Sequence, residues 1–355
     1  MTRSMQGAFK KSALGAVLVC SMINVCTGAE TEARAQAVLP SDEVASKLAA
    51  AFQTSQSDRL RRSGSRDDLI AAALISFSPG AATIRGIDDS HLVKRLVTDY
   101  PTDLLPVYVA ALLCNTQKDP CPHPEYRQQL LKLDPSNAIH WLLVPSGDSL
   151  SIQDLQRASE STLADTHFSE MLGVVRRSLE PRIGEIDPVS WKGNKPLELL
   201  LRRNEIGRVP WPNYSQTIAL CNVQAALSEI NASPRRSCSR LGTLLFEDHG
   251  KNIATKMVGG TMLRRFSSGT PEAAAAIRLR RQYVWMSEQL AETKAPEEKE
   301  RLNEEEIALG EWEAYQRSAE RSGVPREPPP DWVPKRPEQL LLPEERAQKP
   351  AASKQ

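Results

Sequence analysis

A short passage written twice sets the terms on which this chain can fold. Leu96-Val97-Thr98-Asp99-Tyr100-Pro101-Thr102-Asp103 and Leu130-Leu131-Lys132-Leu133-Asp134-Pro135-Ser136-Asn137 follow one pattern, and Pro101 and Pro135 stand 34 residues apart. Each proline pushes the residue before it out of the α region, so one helix stops there. Thr102 and Asp103, or Ser136 and Asn137, then offer side-chain oxygens to the unpaired N–H groups that open the next helix. Two such junctions at a fixed spacing predict antiparallel helical pairs, which hide their apolar faces by stacking on neighbours.

The second junction continues as Ala138-Ile139-His140-Trp141, with a small and a large residue opening the next helix. It resembles the boundary between successive tetratricopeptide repeats, whose spacing it shares with its earlier copy. The resemblance covers Leu130 to Trp141 well and the first junction partly. It implies an all-α fold of antiparallel helix-pair repeats, a tetratricopeptide-like solenoid, whose concave surface takes up proteins or peptides. That function is an analogy from fold, since no reacting group carries it.

Composition agrees with helices. Aromatic residues make up 5% and apolar residues 40% of the 355, with many Ala and Leu, and no stretch sustains period-two alternation. The formal charge of +1 supplies no field for phosphate backbones, so nucleic acid is not an expected partner.

Residues 1–37 read as a signal peptide. Arg3, Lys10 and Lys11 precede the apolar stretch Ala13 to Val25, and small residues at Ala33, Ala35 and Ala37 suit cleavage after Ala35 or Ala37. Bulky Val19 and Val25 stand before Cys20 and Cys26, which disfavours a lipidated cysteine. The expected mature chain is periplasmic or secreted and lacks a transmembrane segment. It keeps Cys114, Cys121, Cys221 and Cys238. An even number in an exported chain points to disulfides, with three connectivities open. The local pairing, Cys114 with Cys121 and Cys221 with Cys238, is the one we expect, since each bridge joins one helix to the next.

The remaining organisation follows from caps and breakers. Residues 38–182 form the repeat domain, with helices expected over Ser41–Phe52, Leu69–Phe77, Ser90–Val97, Asp103–Cys114, Glu125–Leu133, Asn137–Val144, Ser151–Ala158 and Asp165–Leu179; Gln53 to Arg66 is a polar break. An irregular connection rich in Pro and Trp spans 183–213. A second helical block, 214–292, holds Thr217–Ile230, Pro234–Phe246, Ile253–Phe266 and Pro271–Ala291, the last opened by Thr270-Pro271-Glu272. Residues 293–324 form a charged linker or helix, with Lys294 to Glu306 a solvated helix or linker and a further helix over Glu311–Ser322, and a Pro-rich tail, 325–355, is expected to be extended and partly disordered.

No Gly-x-Ser-x-Gly elbow, His-Glu-x-x-His helix, Cys-x-x-Cys-His haem site or phosphate loop occurs. Cys114, Cys121 and His123 match no zinc spacing. The sequence therefore implies no catalytic set, metal or cofactor, and Gly259-Gly260 reads as a close helix contact. Arginines recur in pairs, including Arg176 and Arg177, Arg264 and Arg265, and Arg280 and Arg281. Helix C-termini favour cations, but pairs gathered on one face would make a binding surface for acidic peptide or glycan phosphate. Trp141, Trp191, Trp285 and Trp312 are expected in cores, and Trp332 is the tail aromatic expected to dock back or meet a partner. The sequence thus points to an exported protein-binding or scaffolding module of the cell envelope, its oligomeric state left open. A cell-wall hydrolase, needing a carboxyl of raised pKa buried in a groove, and an inhibitor or immunity-type partner are the alternatives.

Overall fold

A computed structural model describes residues 56–76, 90–116, 123–179, 209–222, 232–249, 251–290 and 296–348, all within one compact unit spanning 39–355. Among them the regular structure is helical, and no strand occurs beyond one bridge between Asn137 and Leu163. The first helices are α1 (Arg66–Ser76), α2 (Ser90–Asp99), α3 (Leu104–Thr116), α4 (Glu125–Leu133), α5 (Ala138–Leu142), α6 (Ile152–Glu160) and α7 (Phe168–Leu179). After them come α8 (Ser215–Leu220), α9 (Ala232–Glu247), α10 (Ile253–Phe266), α11 (Pro271–Leu290), α12 (Pro296–Leu309) and α13 (Glu311–Arg321). A 3₁₀ turn, η1 (Pro337–Leu340), and α14 (Pro343–Gln348) complete the order. No described helix is long and apolar enough to cross a membrane.

The interior is built around α3, which is apolar on every side and buried from Leu105 to Asn115. A helix of that kind must be covered all round. α1, α2 and α4 cover it, and α4, α5 and α6 follow as sequential neighbours. α7 then crosses back onto α1, where Arg177 Nη2 meets Asp67 at 2.9 Å. α6 packs against α9, α9 against α10 and α10 against α11, while α12 lies on α7 and α13. One apolar core runs from Leu60 through Leu112, Leu143 and Val174 to Leu241 and Met262. Burial of each such side chain contributes about 2 kcal/mol.

Both repeated junctions form as their residues dictate. Asp103 Oδ1 accepts from the Leu105 N–H at 3.3 Å, and Asn137 Oδ1 from the Ile139 N–H at 3.1 Å, so the second polar residue of each copy caps the following helix. Ser136 instead donates to Asp134 Oδ1 at 2.6 Å. Asn137 also ties the junction to a distant loop, accepting from Asp165 N and donating to Asp165 O.

The expected Gly259-Gly260 contact lies at the crossing of α9 and α10. A Cβ on Gly259 would stand 2.4 Å from Phe246 N and 2.7 Å from Gly242 O, so backbone meets backbone there. Gly310 joins α12 to α13 at φ 87°, a left-handed conformation that glycine adopts freely.

Several expectations need correction. Residues 56–63, within the expected polar break, are helical, held by a fully buried Leu60 and by Arg59 Nη2 donating to Ser178 O at 2.8 Å. α5 stops at Leu142, two residues short of Val144, and α8 ends at Leu220. The charged stretch after 293, read as a solvated helix or linker, is a helix, α12, that packs on two neighbours. The Cys221–Cys238 disulfide joins the end of α8 to α9, with Cα atoms 5.8 Å apart. The partner expected for Cys114, Cys121, lies outside the described residues, as do the leader, Ser41–Phe52, Trp191 and most of the 183–213 connection.

Candidate functional site

Residues 325–348 of the tail run along α10 and α11 and are held there by arginine and tryptophan side chains. The elements that present those side chains are firmly set. Asn252 caps α10 by accepting from the Thr255 N–H at 3.0 Å, and Thr270 Oγ1 accepts from the Ala273 N–H at 3.3 Å where Pro271 opens α11. Met286 and Leu290 anchor the far half of α11 in a second small core with Ala319 of α13, against which Trp285, Trp312 and Tyr315 pack.

Arg281 and Trp285, one turn apart on α11, face the tail. Trp285 Nε1 donates to Pro325 O at 2.8 Å, and Arg281 Nη2 reaches Pro329 O, Pro330 O and Trp332 O at 3.3, 3.4 and 3.2 Å. The Trp332 ring stands edge-on to Trp285, with centroids 5.5 Å apart, and beneath the Arg281 guanidinium at 5.5 Å. Farther along, Arg280 Nε donates to Gln339 O at 2.6 Å and Arg264 Nη1 to Leu340 O at 3.0 Å. Arg265 grips the Glu344 carboxylate with Nε and Nη2 together, while Arg264 Nη2 lies 3.4 Å from Glu345. Burial and the neighbouring Arg346 and Arg264 draw the Arg280 guanidinium down to about 10, still protonated at neutral pH. The Glu344 carboxyl is held below its usual range by Arg265.

The sequence-selected arginines divide between two places. Arg264 and Arg265 hold the tail. Arg176 pairs with Glu304 of α12 at 2.9 Å and Arg177 with Asp67 of α1, so this pair ties helices together. Trp332 docks back onto its own chain. Trp285, expected in a core, is half-buried against the second small core, and its N–H also reads a tail carbonyl. The spacing of Arg281 and Trp285 on one helix face was the available signal. A shallow cleft between α10 and α11, bordered by Met257, Gly260, Arg264 and Arg280, has room for about one water molecule.

A second polar cluster is internal. His140, fully buried, donates from Nδ1 to Asp134 O at 2.8 Å, and its Nε2 lies 3.1 Å from the Asn137 amide nitrogen, which fixes a neutral tautomer. Burial drives its pKa down to about 4. The His140 and His167 rings stack at 5.8 Å, and Tyr108 meets His167 edge-on at 4.7 Å. On another side, Tyr214 Oη and Thr255 Oγ1 are 2.9 Å apart. Glu311 of α13 places Oε2 2.7 Å from Ile253 N and 3.0 Å from Asn252 Nδ2, at the N-terminus of α10. Its burial pushes the carboxyl up to about 7, with the Ile253 N–H pulling the other way. Its partners are helix-capping groups. Among the described residues, no three His, Cys, Asp or Glu side chains converge as metal ligands.

Comparison with known protein families, with curated proteins and with solved structures finds no match to this chain. The fold and site define an all-α protein whose arginine-bearing helix face holds a proline-rich segment.

Proposed function

We propose that this is an exported helical-repeat protein that binds proteins or peptides, as a scaffold or docking module in the cell envelope. The observation that carries this reading is the α10–α11 face. There, side-chain donors engage main-chain carbonyls of a proline-rich segment, and an arginine fork closes on a carboxylate, which is how folded modules take up peptides. The paired junctions at Pro101 and Pro135 support the tetratricopeptide-like reading of the first half. A disulfide between Cys221 and Cys238 suits an oxidising compartment, in keeping with the leader-like N-terminus.

A cell-wall hydrolase would call on Glu311, the carboxyl raised to about 7. Its oxygen is taken by the N-terminus of α10, and this favours a cap over a general acid.

Affinity capture tests the binding reading. The oxidised chain from Val38 onward, immobilised in envelope extract at physiological salt, should retain one partner reproducibly by mass spectrometry. Retention of nothing beyond an inert control sinks it.

A further inference from the structure

The tail contacts follow a chemical rule that names a ligand. Six of its carbonyls, those of Pro325, Pro329, Pro330, Trp332, Gln339 and Leu340, accept from Trp285, Arg281, Arg280 and Arg264. Carbonyls exist at every residue, so these contacts select a backbone shape: a turn closed by the Trp332 N–H on Pro329 O, then the 3₁₀ turn η1 that carries Gln339 and Leu340. Proline suits that shape: it fixes φ for turns and first helical positions and brings no N–H that would need an acceptor. The face supplies one counter-example, Glu288, which accepts from the Lys335 N–H at 2.8 Å. Sequence enters near the start, where Gln282 Nε2 donates to Glu327 Oε1 at 2.7 Å, and at the far end, where Arg265 and Arg264 meet Glu344 and Glu345. With the tail in place the two arginine side chains are only 6% and 13% exposed. The strap itself lies on the surface, with Val333 71% exposed.

We propose that the α10–α11 face is a receptor for proline-rich, acidic segments of a partner protein, and that the chain's own 325–345 segment is a built-in occupant which such a segment displaces. This rests on the binding reading above and specifies its ligand. A tethered segment acts at an effective concentration on the order of millimolar, so weak contacts suffice to keep it in place. A ligand in solution then binds with an affinity reduced by the fraction of chains whose face is open.

The test uses the full chain and a fluorescein-labelled peptide with the sequence of residues 324–346, followed by anisotropy at physiological salt. A variant carrying Glu344→Lys and Glu345→Lys loosens the tail and leaves the face intact. It should bind the peptide at least about tenfold more tightly than the wild type. Adding Arg281→Ala to that variant should remove most of the gain, with circular dichroism confirming that both variants stay helical. Equal peptide affinity in the wild type and the tail variant overturns the proposal, as does binding indifferent to Arg281→Ala. A dimer that forms as wild-type concentration rises, and is lost in the tail variant, would assign the face to a second copy's tail and overturn the partner assignment. If envelope capture succeeds while the peptide fails, the inference falls and the broader binding reading stands.

Discussion

The Arg265 guanidinium meets the Glu344 carboxylate side-on, two nitrogens to two oxygens, across 79 residues of sequence. Arg265 is nearly buried in this pair, whereas Glu344 stays partly in water. A bidentate pair of this kind fixes direction as well as position. It sets the register in which the proline-rich segment lies over α11.

The crossing of α9 and α10 should be intolerant of a single methyl group. Gly259→Ala drives a Cβ into the backbone of Phe246 and Gly242 and should cost about 3 kcal/mol. Gly260→Ala meets Ala276 Cβ at 3.2 Å, where a small shift suffices, and should cost under about 1 kcal/mol. Urea denaturation of the two variants checks the contrast; equal midpoints would count against the crossing.

His140 should make the fold acid-sensitive. In the unfolded chain it takes up a proton near 6.5, in the folded protein only near 4, so between those values the unfolded state binds more protons. Stability is therefore complete above about pH 6.5 and falls by about 3 kcal/mol as pH drops to 4. Denaturation of the wild type and His140→Gln over this range should show a shallower slope in the variant. Parallel slopes would remove His140 as the cause.

Glu311 acts with the opposite sign. Its folded value of about 7 lies above the ordinary 4.5, so the folded state keeps its proton longer and stability declines as pH rises from 4.5 through 7. Glu311→Gln keeps an acceptor for the Ile253 N–H and cannot ionise. Relative to wild type, the variant should gain stability between pH 5 and 8; a constant difference would show that Glu311 titrates normally.

The Cys221–Cys238 bridge closes a short loop, with a sequence separation of 17. Replacing both cysteines by alanine should cost about 3 kcal/mol under oxidising conditions. Under a thiol reductant the difference from wild type should shrink, and a difference that persists undiminished would mean the loss lies in packing.

Local chemistry was the legible part of this sequence. Ile253–Phe266 was readable to the residue because Asn252 caps it and Ser267 ends it. α11 was readable from Thr270-Pro271-Glu272, and the two repeat junctions from their prolines and caps. What escaped depends on distant partners. The helix at 56–63 looks polar, and a buried Leu60 together with the Ser178 carbonyl holds it. Glu311 resembles any first-turn acid until folding brings α10 to it. The strap was hidden because its contacts are mostly to carbonyls, which are the same for every residue type, while Arg264, Arg265 and Trp332 were visible only as suspects.

The most direct test of the central claim, that the arginine face holds the proline-rich segment, is the rate of tryptic cleavage after Lys335 in the native chain. Cleavage of a segment in rapid exchange reports the population of its released form. The wild type should be cut slowly, and Arg265→Ala with Arg281→Ala should raise the rate on the order of tenfold. Equal rates in both proteins, matching that of a free peptide of the same sequence, would contradict the docked tail and the receptor built upon it.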